Sequence, residues 1–574
     1  CFLVNEVFEL KRWRVLFLFL LITITIFGAN FPLEDVKPGL TGVGKTVFYG
    51  TEIEEFPVEI IGVIPGEGLV ENYIMIKVGG KALELGGVSE GMSGSPVYID
   101  GLLLGAISHG FDDIGHAYGL VTPIEYMEQI LTISRGIKPE IRKIDSITAK
   151  PLSGRLFASG FGRRSQEFLS KQLGTPLYIT VGPFSGTNPF IPQDMAPGSA
   201  LGVQLVSGDV SVGSYGTLTK IYDDGRFLGF GHTILNRGST SFLATSVFVH
   251  ATLQGQPTSY KLASLTGPVG TITEDRGAGI LGSFGKMPNM VPVRVVVRDE
   301  DLGRTVVTRA EVIPDNTLFG RLAASTVLEG FDRGLDRVGA GTSKVRFTVK
   351  GEGLPYPVVR TNYFYTYSDI AALSLNEIAE VLDLLLYNDY YDIKISEVFV
   401  EADFTEEKHT AVIVSATPTK KQVYPGEELQ IEVQIRPFRG EYQTLNVVLP
   451  IPEDLPAGRV QVMVRPGMSI AIYGEPAPSV TEKLELQSEE RVGLPVSQEA
   501  LDWEKVLQEF MNREKNNQIV VEFYPPYSDI ISDEISTDEA LSPIQVRLDT
   551  EYVMEGDAAW ELEILEKPKD SQAD

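Results

Sequence analysis

Gly91-Met-Ser-Gly-Ser-Pro-Val-Tyr-Ile-Asp-Gly-Leu-Leu-Leu104 runs from a glycine-rich loop straight into a β-hairpin. Val97-Tyr-Ile99 and Leu102-Leu-Leu104 read as its strands, and Asp100-Gly101 as a two-residue turn that can take positive φ. The loop ahead of them has the residue types that serine chemistry needs. A serine hydroxyl is a weak nucleophile, so it requires a base, an exposed position and donors aimed at the oxyanion that develops. Glycines tolerate strained backbone, which lets the Gly91 and Ser93 amides turn toward one pocket. Glycine and serine also build plain tight turns, and the motif alone leaves both readings open.

Outward from this loop, Phe56-Pro-Val-Glu-Ile-Ile-Gly-Val-Ile64 and Tyr73-Ile-Met-Ile-Lys-Val78 are β-type runs. Thr122-Pro-Ile-Glu125 has the form of a capping box, with Thr122 as N-cap, Pro123 at the first helical position and Glu125 closing it. A serine-motif β-module over 31–140, ending in a short helix, is expected. Polar, lysine-rich sequence from about Arg135 to Lys150 reads as a linker. In a second β-module, 151–301, Gly216–Tyr222, the turn Asp223-Asp224-Gly225 and Arg226–Phe230 form a hairpin, with His232 just past it.

The region 302–400 is mixed α/β. It holds a second capping box, Ser374-Leu-Asn-Glu377, ahead of the apolar run Ile378–Leu386. Alternation in Leu429-Gln-Ile-Glu-Val-Gln-Ile435, with turns at Pro425-Gly426 and Ala457-Gly458, predicts an Ig-like β-sandwich over 401–475. The last stretch, 476–574, reads as an amphipathic helix, Gln498–Arg513 with Leu501, Leu507 and Phe510 inward, and an acidic C-terminal region.

Composition narrows the function. A chain of 574 residues exceeds one core and implies several domains. Its 49 basic and 77 acidic residues leave a formal charge of -28, which repels phosphates and argues against a nucleic-acid partner. Cys1 is the single cysteine, so there is no internal disulfide and no cysteine-based metal site. The five histidines, His109, His116, His232, His250 and His409, are too dispersed for a zinc motif, so neither metal nor cofactor is expected.

Lys11, Arg12 and Arg14 precede the apolar stretch Val15–Ala29, the pattern of a signal peptide or signal-anchor over 1–30. The protein is therefore expected outside the cytoplasm, secreted or held at a membrane through residues 15–29. For a base to serve Ser93, Gly229-Phe-Gly-His-Thr233 places His232 beside glycines at a strand end, where an imidazole can project into a cleft. His109 and His116 lie nearer in sequence, and on chemistry alone all three are candidates.

Gly-x-Ser-Gly-x-Pro followed by a strand matches the nucleophile loop of chymotrypsin-like proteases better than the strand-to-helix elbow of α/β-hydrolases, which selects Ser93 over Ser95. Gly91–Gly101, Leu104-Gly-Ala-Ile107 and Thr122-Pro-Ile-Glu125 resemble the serine-loop half of the SpoIVB peptidase family. Gly216-Thr-Leu with Gly229-Phe-Gly-His232 resembles its histidine half, so the resemblance spans roughly residues 36 to 300. It implies a mainly β chain: a chymotrypsin-like double β-barrel serine endopeptidase region, followed here by the mixed α/β region and the sandwich. Carried over by motif, Ser93 is the nucleophile, His232 the general base, and the Gly91 and Ser93 amides the oxyanion hole, acting on a protein or peptide substrate.

Two features depart from the family. The serine half precedes the histidine half, although triad geometry does not depend on chain order. The acidic triad member of the family lies shortly before the serine motif, and Ile76-Lys-Val-Gly-Gly-Lys81 contains no carboxylate. Asp209 and Asp275 are the leading candidates to replace it, and Asp112 and Asp113 are further ones. Without an orienting acid, the alternative is a catalytically silent protease-like scaffold that binds partners at the cell envelope; self-cleavage is a third reading. The sandwich lies outside the resemblance and is a candidate site for a protein partner.

Overall fold

The computed structural model describes residues 30–66, 68–111, 116–133, 150–151, 155–180, 194–255, 259–388, 391–467, 503–526 and 543–566. The expected signal segment before Asn30, most of the linker, Leu501, Asp112 and Asp113 lie outside these residues. The chain is mostly β and divides into two compact units. One runs through Val291 and takes back Ala310–Leu322; the other holds Pro292–Arg309 and the chain from Ala323 onward.

The first unit contains two closed six-stranded barrels. In the first, β1 (Thr41–Val47), β2 (Ile53–Pro65), β3 (Asn72–Val78), β4 (Pro96–Ile99), β5 (Leu102–Gly110) and β6 (Tyr118–Pro123) pair in the order β4-β1-β2-β3-β6-β5, and β5 closes onto β4. Alternation explains why the ring fills itself. Phe56, Val58 and Ile60 on β2 point inward with Ile74, Ile76, Val78, Val97, Ile99 and Val121, while Glu55 and Glu59 face out. The β4–β5 hairpin turns at Asp100 (φ 49) and Gly101 (φ 81), as the Asp-Gly pair predicts, with Ile99 opposite Leu102.

A short strand β7 (Lys150–Pro151) adds to β5, and β8 (Leu156–Ser159) and β9 (Leu177–Ile179) add to the second barrel. That barrel is built from β10 (Ala200–Gly208), β11 (Ser211–Ile221), β12 (Arg226–Gly229), β13 (Gly238–Leu253), β14 (Tyr260–Arg276) and β15 (Gly279–Phe284). They pair in the order β10-β13-β14-β15-β12-β11, closed by β10 with β11. The expected β11–β12 hairpin forms, with Ile221 opposite Phe227.

The helix Ile124–Ile133 clamps the two barrels. Ile124, Met127 and Ile130 pack in one cluster with Leu103 and Ala106 of the first barrel and Leu228, Ala278 and Leu281 of the second. This helix does not begin with the expected capping box. Thr122 and Pro123 end β6, and the Thr122 hydroxyl is drawn instead to the Gly231 carbonyl, 2.6 Å away, while Glu125 accepts from the Leu33 N–H.

In the second unit, Gly341–Glu352 pairs antiparallel with Val358–Thr366 and Lys394–Thr405, and Val293–Asp299 runs parallel to Val398–Phe404. The helix expected near Ile378 starts earlier, at Ile370, because Asp369 caps it by accepting from the Ala372 N–H. Ser374 and Glu377 are therefore interior. Ser374 bonds back to the Ile370 carbonyl, and Glu377 forms a two-pronged, buried ion pair with Arg360.

A two-sheet sandwich completes this unit. Gln443–Pro450, Glu428–Pro437, Thr410–Pro418 and Val553–Glu555 form one sheet; Gln422–Val423, Ala558–Ile564, Gly458–Pro466, Gln518–Phe523 and Ile544–Asp549 form the other. The C-terminal stretch expected to be helix and acidic tail thus also supplies strands. Ile519, Val521, Phe523, Leu562 and Ile564 fill the sandwich core, while Glu561 and Glu563 lie on the other face of their strand and Glu522 is buried in an ion pair with Arg465. The expected amphipathic helix runs Trp503–Asn512, burying Leu507 and Phe510 together with Trp503.

Gly94 shows how tightly the barrels meet. Its φ is +94, and a Cβ there would lie 1.9 Å from the Thr217 carbonyl oxygen and 2.5 Å from the Phe230 nitrogen, both backbone atoms of the second barrel. Gly94→Ala is expected to destabilise the protein by about 3 kcal/mol or more, since strain and backbone overlap act together. A thermal melt unchanged within about 1 °C would show that the seam yields there without cost.

Candidate active site

The loop Glu90–Ser95 belongs to the first barrel by sequence and is held by the second. Within its own barrel, Gly94 N–H donates to the Ile107 carbonyl at 2.7 Å and Ile107 N–H to the Ser95 carbonyl at 2.9 Å. From the start of β14, the carbonyl of Ser259, just ahead of the strand, accepts from Glu90 N–H, and Lys261 N–H donates to the Glu90 carbonyl. From β11, Thr217 N–H donates to the Ser93 carbonyl at 2.6 Å, the Thr217 hydroxyl to the Gly91 carbonyl at 3.1 Å, and the Thr219 hydroxyl to the Gly94 carbonyl at 2.7 Å. With the loop's carbonyls spoken for, the Gly91 and Ser93 N–H groups have no partner among the described residues. That is the state required of two donors awaiting an oxyanion.

His232 arrives from the opposite side. After β12 the chain passes through Phe230 (φ 66) and Gly231 (φ 68), two consecutive left-handed residues that swing His232 toward the first barrel. Thr122 of the first barrel fastens this turn by its bond to the Gly231 carbonyl. The result is direct: Ser93 Oγ and His232 Nε2 stand 2.8 Å apart, 139 residues apart in sequence. His232 Nδ1 lies 2.6 Å from the Thr233 carbonyl oxygen. A carbonyl can only accept, so Nδ1 carries the ring proton and Nε2 presents its lone pair to the serine O–H.

Of the other histidines, His109 packs its ring 6.0 Å from that of His232 and bonds Ser108 through Nδ1 at 2.8 Å. His116 is placed by its carbonyl, which accepts from Val88 N–H. Asp209 lies exposed in the turn between β10 and β11. Asp275 is fully buried near the end of β14 and reaches the loop after His232 rather than its ring. The Ser95 hydroxyl bonds the Thr217 hydroxyl weakly, at 3.4 Å. Among the described residues no group of three or more His, Cys, Asp or Glu could hold a metal ion.

Burial sets the electrostatics. Ser93 is 0% and His232 1% exposed. Burial pushes His232 down to about 4, against smaller upward effects of the Thr233 bond and the Asp275 charge. Burial, with the like charge of His232 behind it, pushes His109 down to about 3. Lys261, also buried, is pushed down to about 7; its ammonium nitrogen bonds Thr46 Oγ1 at 2.7 Å and the Gly91 carbonyl at 3.1 Å. The residues the sequence reading missed are therefore Thr217, Thr219, Thr233 and Lys261. Thr217 had a signal, since it sits inside the Gly216-Thr-Leu motif; nothing local marks Lys261. A separate cavity of about 1280 Å³ is lined by the hairpin-turn residues Asp100 and Asp223 with Lys45, Tyr98 and Lys220, and not by Ser93 or His232.

Residues 32–127, the first barrel with its serine loop, match the family model of the SpoIVB peptidase S55 family. No curated protein and no solved structure matches the chain. No helix among the described residues is long and apolar enough to cross a membrane.

The two buried histidines give a pH signature. The unfolded chain takes up protons at His109 and His232 near 6.5, whereas the native chain resists until about 3 and 4. Between these values the unfolded state binds more protons, so stability falls as pH drops from about 6.5 toward 4. The thermal midpoint is expected to fall over that window, and to fall less steeply in a His109→Gln, His232→Gln double variant. Equal slopes for the two proteins would show that the rings are not buried neutral.

Proposed function

The match over residues 32–127 supports membership of the SpoIVB peptidase family, and on that premise we propose that the protein is an exported serine endopeptidase working through Ser93 and His232. The observation that carries the proposal is the 2.8 Å contact between Ser93 Oγ and His232 Nε2, made across two barrels that each supply one partner. His232 lies outside the matched segment, and its part rests on this geometry.

The chemistry follows from the tautomer. Ser93 Oγ attacks the carbonyl carbon of a peptide bond while its proton passes to His232 Nε2. The negative oxygen of the tetrahedral intermediate is met by the Gly91 and Ser93 N–H groups. As the C–N bond breaks, Nε2–H protonates the departing amine and leaves an ester on Ser93. Water, deprotonated by Nε2, then hydrolyses that ester and regenerates the serine. Throughout, the Nδ1–H bond to the Thr233 carbonyl keeps the ring in place and stabilises the imidazolium. No step calls on a metal or a cofactor.

Both reacting groups are enclosed, so a substrate chain reaches them only after the surrounding loops part. Export is supported by the basic-then-apolar segment at residues 11–29, which also offers a means of membrane anchoring. The substrate is a protein or peptide, the chain itself included, and the sandwich is the candidate surface for a partner.

The test is covalent labelling of the purified protein by a fluorophosphonate serine-hydrolase probe beside Ser93→Ala and His232→Ala. Labelling of the wild type, abolished by Ser93→Ala and reduced at least about 1000-fold by His232→Ala, is expected. Failure of a well-folded wild type to label would overturn the proposal in favour of a silent scaffold. A self-cleavage fragment that disappears in Ser93→Ala would place the chain among its own substrates.

A further inference from the structure

The protein has no carboxylate at the place where the family keeps its acid, and the geometry points to a substitute: Asp275 orients His232 at one remove, by locking the backbone loop whose carbonyl receives the ring proton. This rests on the Ser93–His232 reading. The carboxylate of Asp275 is fully buried, and four donors converge on it from one short stretch of chain. Oδ1 accepts from the Thr233 hydroxyl at 2.7 Å and the Ile234 N–H at 2.7 Å; Oδ2 accepts from the Leu235 N–H at 2.8 Å and the Arg237 N–H at 3.2 Å. Thr233 Oγ1 accepts in turn from Asn236 N–H at 2.6 Å, so the loop is cross-tied to itself as well.

The consequence falls on one atom. The Thr233 carbonyl oxygen, 2.6 Å from His232 Nδ1, is fixed in direction by the tied hydroxyl of its own residue and by the tied Ile234 N–H, which lies in the same planar peptide unit as that carbonyl. A neutral carbonyl then does the orienting that a triad aspartate does, selecting the tautomer with the proton on Nδ1. The buried negative charge remains close enough to favour the imidazolium that forms during the reaction. Asp275 is thus a positioning residue: it touches neither substrate nor serine.

The charged groups around this arrangement are otherwise engaged. His109 faces His232 from β5 and bonds Ser108. Glu274 and Arg276, beside Asp275 on β14, pair with each other at 2.8 Å, and the Arg237 guanidinium pairs with Asp315 at 3.2 Å. Asp275 is accordingly the carboxylate whose loss changes the charge felt by the ring.

Asp275→Asn and Thr233→Val are the variants, each compared with wild type for folding by thermal melt and for fluorophosphonate labelling rate against pH. In Asp275→Asn one amide group must face N–H donors, so the loop loosens and labelling is expected to slow about 100-fold, the scale of a displacement near 1 Å at a reacting group. The labelling profile's acid limb, which reports protonation of His232, is expected to move to lower pH because the charge that favours the imidazolium is gone. Thr233→Val keeps the carbonyl, the Asp275 charge and three of the four bonds. It is expected to slow labelling less, about 10-fold, with the acid limb unmoved.

A role that only stabilised the fold would lower the melting temperature and leave the acid limb of the surviving folded protein where it is in wild type. That result, or wild-type labelling by folded Asp275→Asn, would overturn the inference. If Asp275→Asn fails to fold, wild-type labelling by folded Thr233→Val would overturn it instead. A wild type that never labels would sink the enzyme reading itself, which is a different failure.

Discussion

The structure of the site depends on a seam of hydrogen bonds in which one barrel dictates the backbone of the other. Peptide carbonyls in Glu90–Gly94 are claimed by Thr217, Thr219 and Lys261, residues whose strands belong to the second barrel. A carbonyl that is held fixes the plane of its peptide, and with it the direction of the neighbouring N–H. The two amides left over face outward from the loop because their neighbours have been pinned. The arrangement that could steady an oxyanion is thus a by-product of barrel docking, and the loop has no reason to hold that shape alone. Gly94 is required at the same seam, where the second barrel's backbone occupies the space a side chain would need.

His232 is positioned by the same logic in reverse. Its strand belongs to the second barrel, yet the preceding Gly231 is fastened by Thr122 of the first. Each barrel therefore supplies one reacting group and the clamp for the other. Burial makes this arrangement demanding: a neutral imidazole enclosed in protein loses the hydration that would support its charged form, and the fold offsets that loss with the Thr233 dipole and the Asp275 charge.

How much of this could be read in the amino-acid order follows from the range of the interactions. The two barrel hairpins were legible because their turns are local chemistry: Asp100 and Gly101 in one, and Gly225 after Asp223-Asp224 in the other, adopt positive φ without help from elsewhere. The mainly β character followed from the same signals and the double barrel from the family resemblance, and the structure brings Ser93 and His232 within 2.8 Å of each other. Cap assignments failed where a hydroxyl had a stronger distant claim, as Thr122 does at Gly231, or where another residue capped first, as Asp369 does ahead of Ser374. The last strand was hidden because Glu561 and Glu563 give it an acidic character while their alternate neighbours Leu562 and Ile564 fill the sandwich. The parts played by Lys261 and Thr233 could not be seen, since the partners of the Lys261 ammonium and of the Thr233 carbonyl and hydroxyl are set only in the folded barrels.

The reversed order of the two halves has a consequence in time. A chain is made from its N-terminus, so the first barrel, with its serine, is complete long before the residue that could activate it, 139 positions later. During that interval the serine loop lacks its imidazole and also lacks the strands that aim its amides. A nascent or half-emerged chain therefore lacks both the imidazole contact and the aimed amides, and the arrangement is complete only when β11, β12 and β14 have closed around the loop. Under the proposed mechanism, chain order would act as a safety catch released by completion of the second barrel.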